Sequence, residues 1–324
     1  MITNHLDTLR VSLACTLFND SIQRKELLYK PLTIDEFYHK FMTSTAIYDL
    51  KTYVDLDNDE LTGFLSGVIV KDKHKAYITT VIVDPKHRRK GIGSKLLHQF
   101  EQDVRNAYPT IQSIDIIFFN PIQFEWIIPN TSNHDHPNAP GVDMESIAYL
   151  FFLHHGYIQF AKQNSYYKNI EHYTLSEEIN QLCIELKKQK IDVNYYDSSL
   201  HHGFNTLFED LKNPYWNDEI TQAAHRHEPI LIATKDHEII GFTGPLRIQP
   251  SLRGYFAGIG VHSMYRGLGI GKVLFASLCI ELKNRGAHYM TLFTGETNPA
   301  RKIYEREGFV IVKSWANLKK EITS

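Results

Sequence analysis

The sequence predicts an α/β protein built from two similar domains, each a mixed, mostly antiparallel twisted sheet flanked by helices. The chain has 324 residues, about twice the usual length of one domain. One type of segment occurs twice, at 76–100 and 254–278, and Val83 to Arg88 matches Val261 to Arg266 at an offset of 178 residues. That offset is one domain length, so the pattern indicates duplication of a whole domain, with predicted domains at 1–172 and 173–324.

The first half reads as a meander followed by a crossover. Three β-rich runs at 47–54, 62–70 and 75–83 predict antiparallel strands. A glycine cluster follows, and apolar residues then recur with helical spacing at Ile92, Leu96, Leu97, Phe100 and Val104. The run 113–119 predicts a buried strand, so strand, turn, helix and strand form a crossover unit.

The second half repeats this order. Strands are predicted at 230–234, 238–243 and 255–261, a helix at 270–284, and a further strand at 289–294. Each half then has a short helix that ends in glycine and an aromatic residue, Gly156-Tyr157 and Gly308-Phe309. The segment 175–190 predicts a helix that connects the domains or opens the second one.

The first half contains an insertion. The interval from the arginine of the glycine cluster to the glycine of the short helix is 68 residues in the first half and 42 in the second. The excess falls most simply in 120–145, which is rich in Pro and Asn and predicts a long loop or hairpin over the sheet. His134 and His136 lie there without a Cys partner or helical spacing, so a solvated loop is favoured over a metal site.

Composition excludes several classes of protein. Lys and Arg total 35 and Asp and Glu total 37, with neither half strongly basic, which disfavours a nucleic-acid binder. The longest apolar run, 147–153, is far too short for a membrane helix, and the first residues lack the pattern of a secretion signal. Three widely spaced cysteines predict no disulfide framework. The expected location is the cytoplasm.

The glycine clusters distinguish three kinds of phosphate-binding loop. A P-loop would need Ser or Thr after Gly271-Lys272, where the sequence has Val273. A dinucleotide fingerprint would need glycine where the sequence has Leu96 and Lys272. Both copies instead share Arg-x-x-Gly-x-Gly, as Arg88-Arg89-Lys90-Gly91-Ile92-Gly93 and Arg266-Gly267-Leu268-Gly269-Ile270-Gly271.

This pattern, between a strand and a helix in both halves, resembles the signature of the GNAT superfamily of acetyl-CoA-dependent N-acetyltransferases. A glycine-rich turn at a helix N-terminus presents several backbone N–H groups in one direction, which suits a pyrophosphate. A single basic run such as 87–90 could equally be an exposed turn. Its recurrence in the same strand, turn and helix context favours the resemblance.

The resemblance implies acetyl-CoA as co-substrate and no metal. The positions implied to hold the pyrophosphate through backbone N–H groups are Arg88, Arg89, Lys90, Gly91, Ile92, Gly93 and Ser94, and Arg266, Gly267, Leu268, Gly269, Ile270, Gly271 and Lys272. Val83, Ile259 and Val261 are implied to pair with the pantetheine arm like an extra strand. The thioester carbonyl would then lie by a strand N–H near Val261.

The second half carries the fuller set of chemical residues. By resemblance, Asn298 would hydrogen-bond the pantetheine arm and Tyr304 would protonate the departing CoA thiolate. The alternative role for Tyr304 is to pack its helix on the sheet. In the first half the matching residue is Phe152, and Tyr149 lies one turn earlier and off-register. The first domain is therefore predicted to be degenerate at the catalytic tyrosine, with binding of CoA without transfer, or action through Tyr149 or solvent, as the alternatives. The second domain is predicted to be catalytic.

The base and the acceptor are less defined. No Asp or Glu lies in 255–261, so water relayed to Glu296 or His262 is the predicted proton acceptor. The acceptor pocket is expected along 241–247, where Arg247 and the nearby Arg253 could fork onto an acceptor carboxylate or could be solvated charges at strand ends.

The predicted function is direct transfer of an acetyl group from acetyl-CoA to a primary amine of a small molecule or peptide. The alternative is a non-catalytic acyl-CoA-binding regulatory protein. A third hypothesis, a nucleic-acid-associated protein that uses 87–90, is disfavoured by the near-neutral halves. The expected partners are the amine acceptor alone, with no nucleic acid and no membrane, in a monomeric pseudo-dimer or a homodimer. The acceptor's identity stays open, because fold alone does not choose it.

Overall fold

The chain forms two compact units that are not contiguous in sequence. The computed structural model describes residues 2–3, 8–58, 60–70, 72, 74–118 and 120–322. Unit 1 comprises Met1–Pro129, His136–Asn164 and Lys313–Ser324, and unit 2 comprises Asn130–Asp135 and Ser165–Val312. The single domain boundary near 172 stays a prediction from the sequence.

Both helices and strands occur throughout the described part of the chain. In chain order, the helices are α1 (Thr8–Gln23), α2 (Ile34–Met42), α3 (Ile92–Ala107), α4 (Ile147–His154), α5 (Glu177–Lys188), α6 (Phe204–Leu211), α7 (Pro214–His225), α8 (Ile270–Asn284) and α9 (Arg301–Arg306). The strands are β1 (Ile2–Thr3), β2 (Tyr48–Asp57), β3 (Glu60–Val70), β4 (Lys75–Val83), β5 (Ser113–Ile116), β6 (Trp126–Ile127), β7 (Asp135–His136), β8 (Val142–Asp143), β9 (Ile158–Asn169), β10 (Ile191–Tyr195), β11 (Leu231–Lys235), β12 (Glu238–Gly244), β13 (Arg253–Gly254), β14 (Gly258–Val261), β15 (Tyr289–Gly295) and β16 (Val310–Glu321). Within the described ranges, no helix is long and apolar enough to cross a membrane.

Unit 1 is a mixed sheet with helices on both faces. Its strand order is β1-β2-β3-β4-β5-β16, antiparallel throughout except for the parallel pair β4 and β5. Helix α3 packs on one face, where Phe100 lies against Gly67 of β3. A Cβ at Gly67 would lie 2.4 Å from the Phe100 ring, so glycine permits the close approach. Helices α1 and α2 cover the other face.

Unit 2 has two groups of strands. Strands β10-β11-β12-β14 form an antiparallel sheet, and β13 runs parallel to β15, which has β9 as its other neighbour. Helix α8 packs its apolar side chains on one face, and α6 and α7 pack on the other. Helix α7 begins at Pro214 because the Asn213 side chain caps it by accepting a hydrogen bond from Trp216 N.

The predicted fold class is confirmed, and one predicted strand is wrong. The run 255–261 is not one strand, because the chain changes partner there: β13 pairs with β15, and β14 pairs with β12. Residues 255–257 form a strand break between them. In the first half, β5 covers Ser113–Ile116, and Phe119 of the predicted strand lies outside the described residues.

The insertion 120–145 has both exposed and buried side chains, so a wholly solvated loop is the part of the prediction that is wrong. In unit 1, Phe124 is buried and its ring stacks on Tyr29 at 4.6 Å. In unit 2, His134 stacks on Tyr289 at 3.9 Å, and its Nδ1 lies 2.8 Å from the Tyr167 hydroxyl. In the part of the chain that the structure describes, no cluster of His, Cys, Asp or Glu could hold a metal ion.

Candidate functional site

The two glycine turns have the same backbone conformation. Two positions in each turn have a positive φ: 62° at Arg89 and 80° at Gly91 in unit 1, and 87° at Gly267 and 86° at Gly269 in unit 2. This left-handed region is favourable for glycine and costly for other residues. The turn in unit 1 therefore holds an arginine in a conformation that unit 2 gives to a glycine.

An arginine fixes each turn to the strand before it. Arg88 Nε donates to Val83 O at 3.0 Å, and Arg266 Nε donates to Val261 O at 3.1 Å. The side chain thereby satisfies the last strand carbonyl and sets the direction in which the turn leaves the sheet.

Each turn leaves a run of backbone donors at the start of a helix. Lys272 N donates to Gly269 O at 2.9 Å, but at 267–271, a fully described segment, no protein acceptor takes the N–H groups. The same holds for the described segment 89–94 in unit 1. These donors lie at the positive ends of α8 and α3, where an anion is stabilised.

The last glycine of each turn admits a neighbouring helix. A Cβ at Gly93 would lie 3.3 Å from the Phe151 ring of α4, and a Cβ at Gly271 would lie 3.3 Å from Ile303 Cδ1 of α9. Both glycines thus let the short helix lie close to the turn. The backbone donors and this short helix therefore lie next to each other in each unit.

The edge of β14 that faces away from β12 is open. His262 N donates to Ile240 O at 2.8 Å. Because bonding alternates along an antiparallel pair, the N–H groups of Ile259 and Val261 point away from β12. Among the described strands β14 has β12 as its one neighbour. The two predicted pantetheine positions thus direct their backbone N–H groups to the open edge, while Val261 O accepts from Arg266 Nε.

Val83 in unit 1 is oriented in the same way. Asp84 N donates to Thr62 O at 2.9 Å, so the alternation directs the backbone N–H of Val83 away from β3. Strand β4 pairs with β5 only at Ala76 and Tyr77, and the two strands diverge beyond that point.

Tyr304 lies beside the strand break at the end of the open edge. Its ring centroid lies 5.9 Å from that of Phe256 in the break, 4.9 Å from Phe275 and 6.1 Å from Tyr166. Tyr304 is 5% exposed, and its hydroxyl takes part in no hydrogen bond with the described residues. Burial, and then the neighbouring Tyr166, raises the pKa of Tyr304 above its ordinary value. The hydroxyl is therefore protonated at neutral pH and free to donate.

Three other predicted residues of unit 2 have defined partners. Asn298 Oδ1 accepts from Ala300 N at 3.0 Å in the turn before α9, which leaves its amide N–H₂ for another acceptor. The Glu296 carboxylate lies 3.5 Å from Arg301 Nη1. His262 Nδ1 accepts from Met264 N at 3.3 Å.

In unit 1 the corresponding side chains are absent or engaged. Phe152 stands at the position of Tyr304, and the Tyr149 hydroxyl donates to Gln159 Oε1 at 2.7 Å. Ser146, at the position of Asn298, donates to Asp143 O at 2.7 Å. His155 Nε2 lies 2.9 Å from Ser94 Oγ.

The gap between β4 and β5 in unit 1 is closed by its own chain. Asn120 Nδ2 donates to Ile78 O at 3.1 Å, at the position of Phe256 in unit 2. Asn120 Oδ1 also accepts from Ile122 N, and Phe124 lies alongside. The space that remains is a cavity of about 30 Å³, room for about one water molecule.

Neither candidate arginine for an acceptor carboxylate is free. Arg247 donates to Glu228 and Glu219. Arg253 is 3% exposed and donates to Thr291 O and to Gln249 Oε1, both at 2.7 Å. Arg253 therefore fastens β13 to β15, and its interpretation as a solvated charge is wrong. A wide concavity of about 1540 Å³ in unit 2, along β10 and the C-terminal end of α7, is lined by none of the predicted site residues.

The sequence interpretation missed Tyr166, Trp216 and Asn120. Tyr166 packs against Tyr304, and Trp216 Nε1 donates to Ala257 O of the strand break at 3.1 Å. Asn120 could have been found by aligning β5 with β15, which matches it to Glu296. Trp216 follows the helix-start signal Asn213-Pro214, and Tyr166 carries no local signal.

Comparison with known proteins identifies the family. The model of the acetyltransferase (GNAT) family matches two regions, residues 18–117 and 197–309. A curated [ribosomal protein bS18]-alanine N-acetyltransferase from Haemophilus influenzae is 39% identical over 51 residues, which is 16% of this chain and 35% of that protein.

Solved structures share the fold over almost the whole chain. A GCN5-related glucosamine N-acetyltransferase region of a fungal multi-domain GH3 β-N-acetylglucosaminidase has a TM-score of 0.68 at 17% identity, over 98% of this chain and 38% of that one. A tandem GNAT protein from the clavulanic acid biosynthesis pathway has a TM-score of 0.57 at 14% identity, over 99% and 98%. This chain spans little more than a third of the first curated relative and of the fungal protein. The chain belongs to the acetyltransferase (GNAT) family and carries two GNAT regions in tandem.

Proposed function

We propose that unit 2 transfers an acetyl group from acetyl-CoA to a primary amine, with Tyr304 as the proton donor. The observation that carries the proposal is the continuous arrangement of four parts in unit 2. The unpaired N–H groups of 267–271 lead to the open edge at Val261 and Ile259, the edge leads to the strand break, and Tyr304 lies beside the break.

The residues present fit such a donor. Of the implied pyrophosphate positions, Arg266 N donates to Ser263 O and Lys272 N to Gly269 O, so the N–H groups of 267–271 are the ones that suit the pyrophosphate. Asn298 and the open strand edge offer hydrogen bonds to the amides of the donor. Acetyl-CoA, when bound, supplies an acetyl thioester that an amine can attack. Backbone N–H groups near the strand break would stabilise the negative charge that develops on the carbonyl oxygen.

Two proton transfers accompany the reaction, and groups of the protein take part in both. The attacking nitrogen forms a bond to the carbonyl carbon and loses a proton to water, relayed to Glu296 or His262. When the carbon–sulfur bond breaks, the Tyr304 hydroxyl gives its proton to the sulfur. Water returns a proton to Tyr304 after the thiol leaves.

For unit 1 we propose binding without transfer. Its turn keeps the backbone donors of 89–94 and the orientation of Val83, which support a bound CoA, whereas Arg88 N donates to Pro85 O. Phe152 cannot donate a proton, and Asn120 closes the gap in which a thioester would lie. The acyl-CoA-binding regulatory alternative is thereby assigned to this unit. The cytoplasmic location and the monomeric pseudo-dimer or homodimer stay predictions.

The test is release of CoA thiol from acetyl-CoA in the presence of amino acids, polyamines, aminoglycosides and peptides, with mass spectrometry of the products. We expect release with one class of amine and a product acetylated on nitrogen. If acetyl-CoA binds by calorimetry but no amine causes release above the rate of thioester hydrolysis, the transferase proposal is wrong and the binding-only alternative replaces it.

A further inference from the structure

Two sides of the strand break in unit 2 face different surroundings. Phe256 packs toward Tyr304 and α8. Gly258 faces α7, since a Cβ there would lie 2.2 Å from Trp216 Nε1. Tyr255 lies on the α7 side as well, beside Arg247. If acetyl-CoA lies along the open edge of β14, as proposed above, the α7 side of the strand break is left for the approach of the amine.

Arg247 is the cation on that side. Its guanidinium lies over the Tyr255 ring, 4.8 Å from the centroid, and Tyr255 N donates to Arg247 O at 2.8 Å. These two contacts with Tyr255 hold Arg247 next to the strand break, because Tyr255 is the residue before Phe256. An acceptor that approached the break from the α7 side would therefore lie near this guanidinium.

The charge of Arg247 is already satisfied by two carboxylates. Its Nη2 and Nε donate to Glu228 Oε2 at 2.7 and 3.1 Å, and Nη2 also lies 3.3 Å from Glu219 Oε1. Arg226 Nε donates to the other oxygen of Glu228 at 2.6 Å. Burial opposes ionisation of Glu228, but the hydrogen bonds from Arg226 and Arg247 outweigh it and lower the pKa of this carboxyl.

An acceptor carboxylate would meet an unfavourable environment here. It would have to displace Glu228 or Glu219 from Arg247, and it would lie close to both of their negative charges. An amine without a carboxylate meets no such competition, because it has no anionic group that must displace Glu228 or Glu219 from Arg247.

We infer that unit 2 selects amines that carry no carboxylate next to the amino group, because Glu228 and Glu219 occupy Arg247. The inference rests on the proposed transferase function and names the acceptor class. Decarboxylated amines and the N-termini of peptides, whose neighbouring carbonyl is an amide, both belong to this class. Free amino acids do not.

Matched pairs of acceptors test the inference. The rate constant kcat/KM for CoA release is measured with tyramine and tyrosine, histamine and histidine, and agmatine and arginine. We expect each amine to exceed its amino acid by about tenfold or more, which corresponds to about 1.4 kcal/mol in the transition state. Equal rates or a preference for the amino acids would overturn the inference while leaving the transferase function intact. If none of the acceptors causes release of CoA thiol, the transferase proposal and the inference are both wrong.

Variants separate selectivity from a general loss of activity. Glu228→Gln removes one carboxylate from Arg247, and Glu219→Gln/Glu228→Gln removes both. The ratio of kcat/KM for the amine to kcat/KM for the amino acid is expected to fall by about tenfold, and more in the double variant. Glu238→Gln, at an exposed carboxylate on β12, is the control and should keep the native ratio. Calorimetric binding of acetyl-CoA verifies that each variant is folded. A ratio that stays native in the double variant would also contradict the role given to the two carboxylates.

Discussion

The two glycine turns have nearly the same backbone and different chemical surroundings. Both have positive φ at the same two positions, and both bind an arginine to the last strand carbonyl. Beyond the turn the units differ. Arg88 is held by Glu26 at 2.8 and 2.7 Å, whereas the Arg266 side chain is 60% exposed, with Asp210 at 3.9 Å.

The difference shows that turn geometry and chemistry depend on separate residues. The turn requires glycines and an arginine within six positions of each other. The chemistry requires residues that arrive from later elements, such as Tyr304 from α9. In unit 1, Phe152 stands at the position of Tyr304 and Asn120 closes the gap between β4 and β5, yet the turn keeps its backbone conformation. A conserved-looking glycine turn is therefore evidence for binding and insufficient evidence for transfer.

The largest effect is expected from removal of the last strand segment. In unit 1, Leu318 to Glu321 of β16 pair with β5, and Trp315 and Ala316 pair with β8. Trp315, Leu318 and Ile322 are buried. Each such side chain contributes about 1.5–3 kcal/mol, against a total domain stability of about 5–15 kcal/mol. Deletion of 313–324 is therefore expected to unfold unit 1 and leave the 165–312 part of unit 2 in place.

Hydrogen exchange followed by mass spectrometry measures the two units separately. We expect β4 and α3 to lose protection in the deletion and α8 to keep it. Lys319→Ala, on the same strand but only in a surface ion pair with Glu321, should change neither unit. Native protection of β4 in the deleted chain would contradict this assignment of the strand.

A smaller effect is expected from exchanging the residues at the first positive-φ position. Arg89→Gly should stabilise unit 1 by about 0.5–1 kcal/mol, because glycine adopts this φ without strain. Gly267→Arg should destabilise unit 2 by about 1 kcal/mol, since a Cβ there meets no atom within 4 Å and only the backbone is strained. Urea denaturation measures both, and shifts of the same sign would refute the equivalence of the two positions.

The smallest expected effect is on the stability of unit 1 at acid pH. Hydrogen bonds from Arg88 lower the pKa of Glu26 below its ordinary value. A lowered folded pKa means that the contribution to stability is complete above about pH 4.5 and is lost as pH falls through the folded value. Since both side chains are about a third exposed, the contribution is below about 1 kcal/mol.

Glu26→Gln tests this contribution. The variant should be less stable than the native protein at pH 7, and the difference should shrink at pH 3, where the native carboxyl is protonated. Thermal unfolding at the two pH values measures the difference. A gap as large at pH 3 as at pH 7 would show that the ion pair is not its source.

Local pattern predicted the elements that the duplication repeats. Strand β4, the turn and α3 in unit 1, and the turn and α8 in unit 2, follow from apolar spacing and glycine positions. What failed depends on contacts far apart in the chain. The strand break 255–257 exists because two neighbouring segments pair with different strands.

The same limit applies to the site. The positions of the turns and the place of Tyr304 in the chain could be predicted because both lie at fixed distances from glycines. That Arg253 is buried against Thr291, and that Glu228 and Glu219 occupy Arg247, could not be predicted, because these partners come from other elements. From their charge alone, Arg247 and Arg253 could each have bound an acceptor carboxylate or faced solvent.

The pH profile bears on the role of Tyr304. Because burial raises its pKa, the hydroxyl stays protonated up to about pH 10, the ordinary pKa of tyrosine. The kcat for CoA release should therefore show no alkaline decline below that pH. A decline with a midpoint near pH 8 would indicate a different proton donor.

The most direct test of the central claim is the kcat of CoA release in Tyr304→Phe, compared with Tyr149→Phe. If unit 2 performs the transfer, Tyr304→Phe should lower kcat by about a hundredfold or more, with acetyl-CoA affinity changed by no more than about twofold. Tyr149→Phe, which removes the phenol one turn before Phe152 in unit 1, should leave kcat at the native value. A Tyr304→Phe variant that keeps native kcat, or a large loss in Tyr149→Phe, would contradict the assignment of catalysis to unit 2.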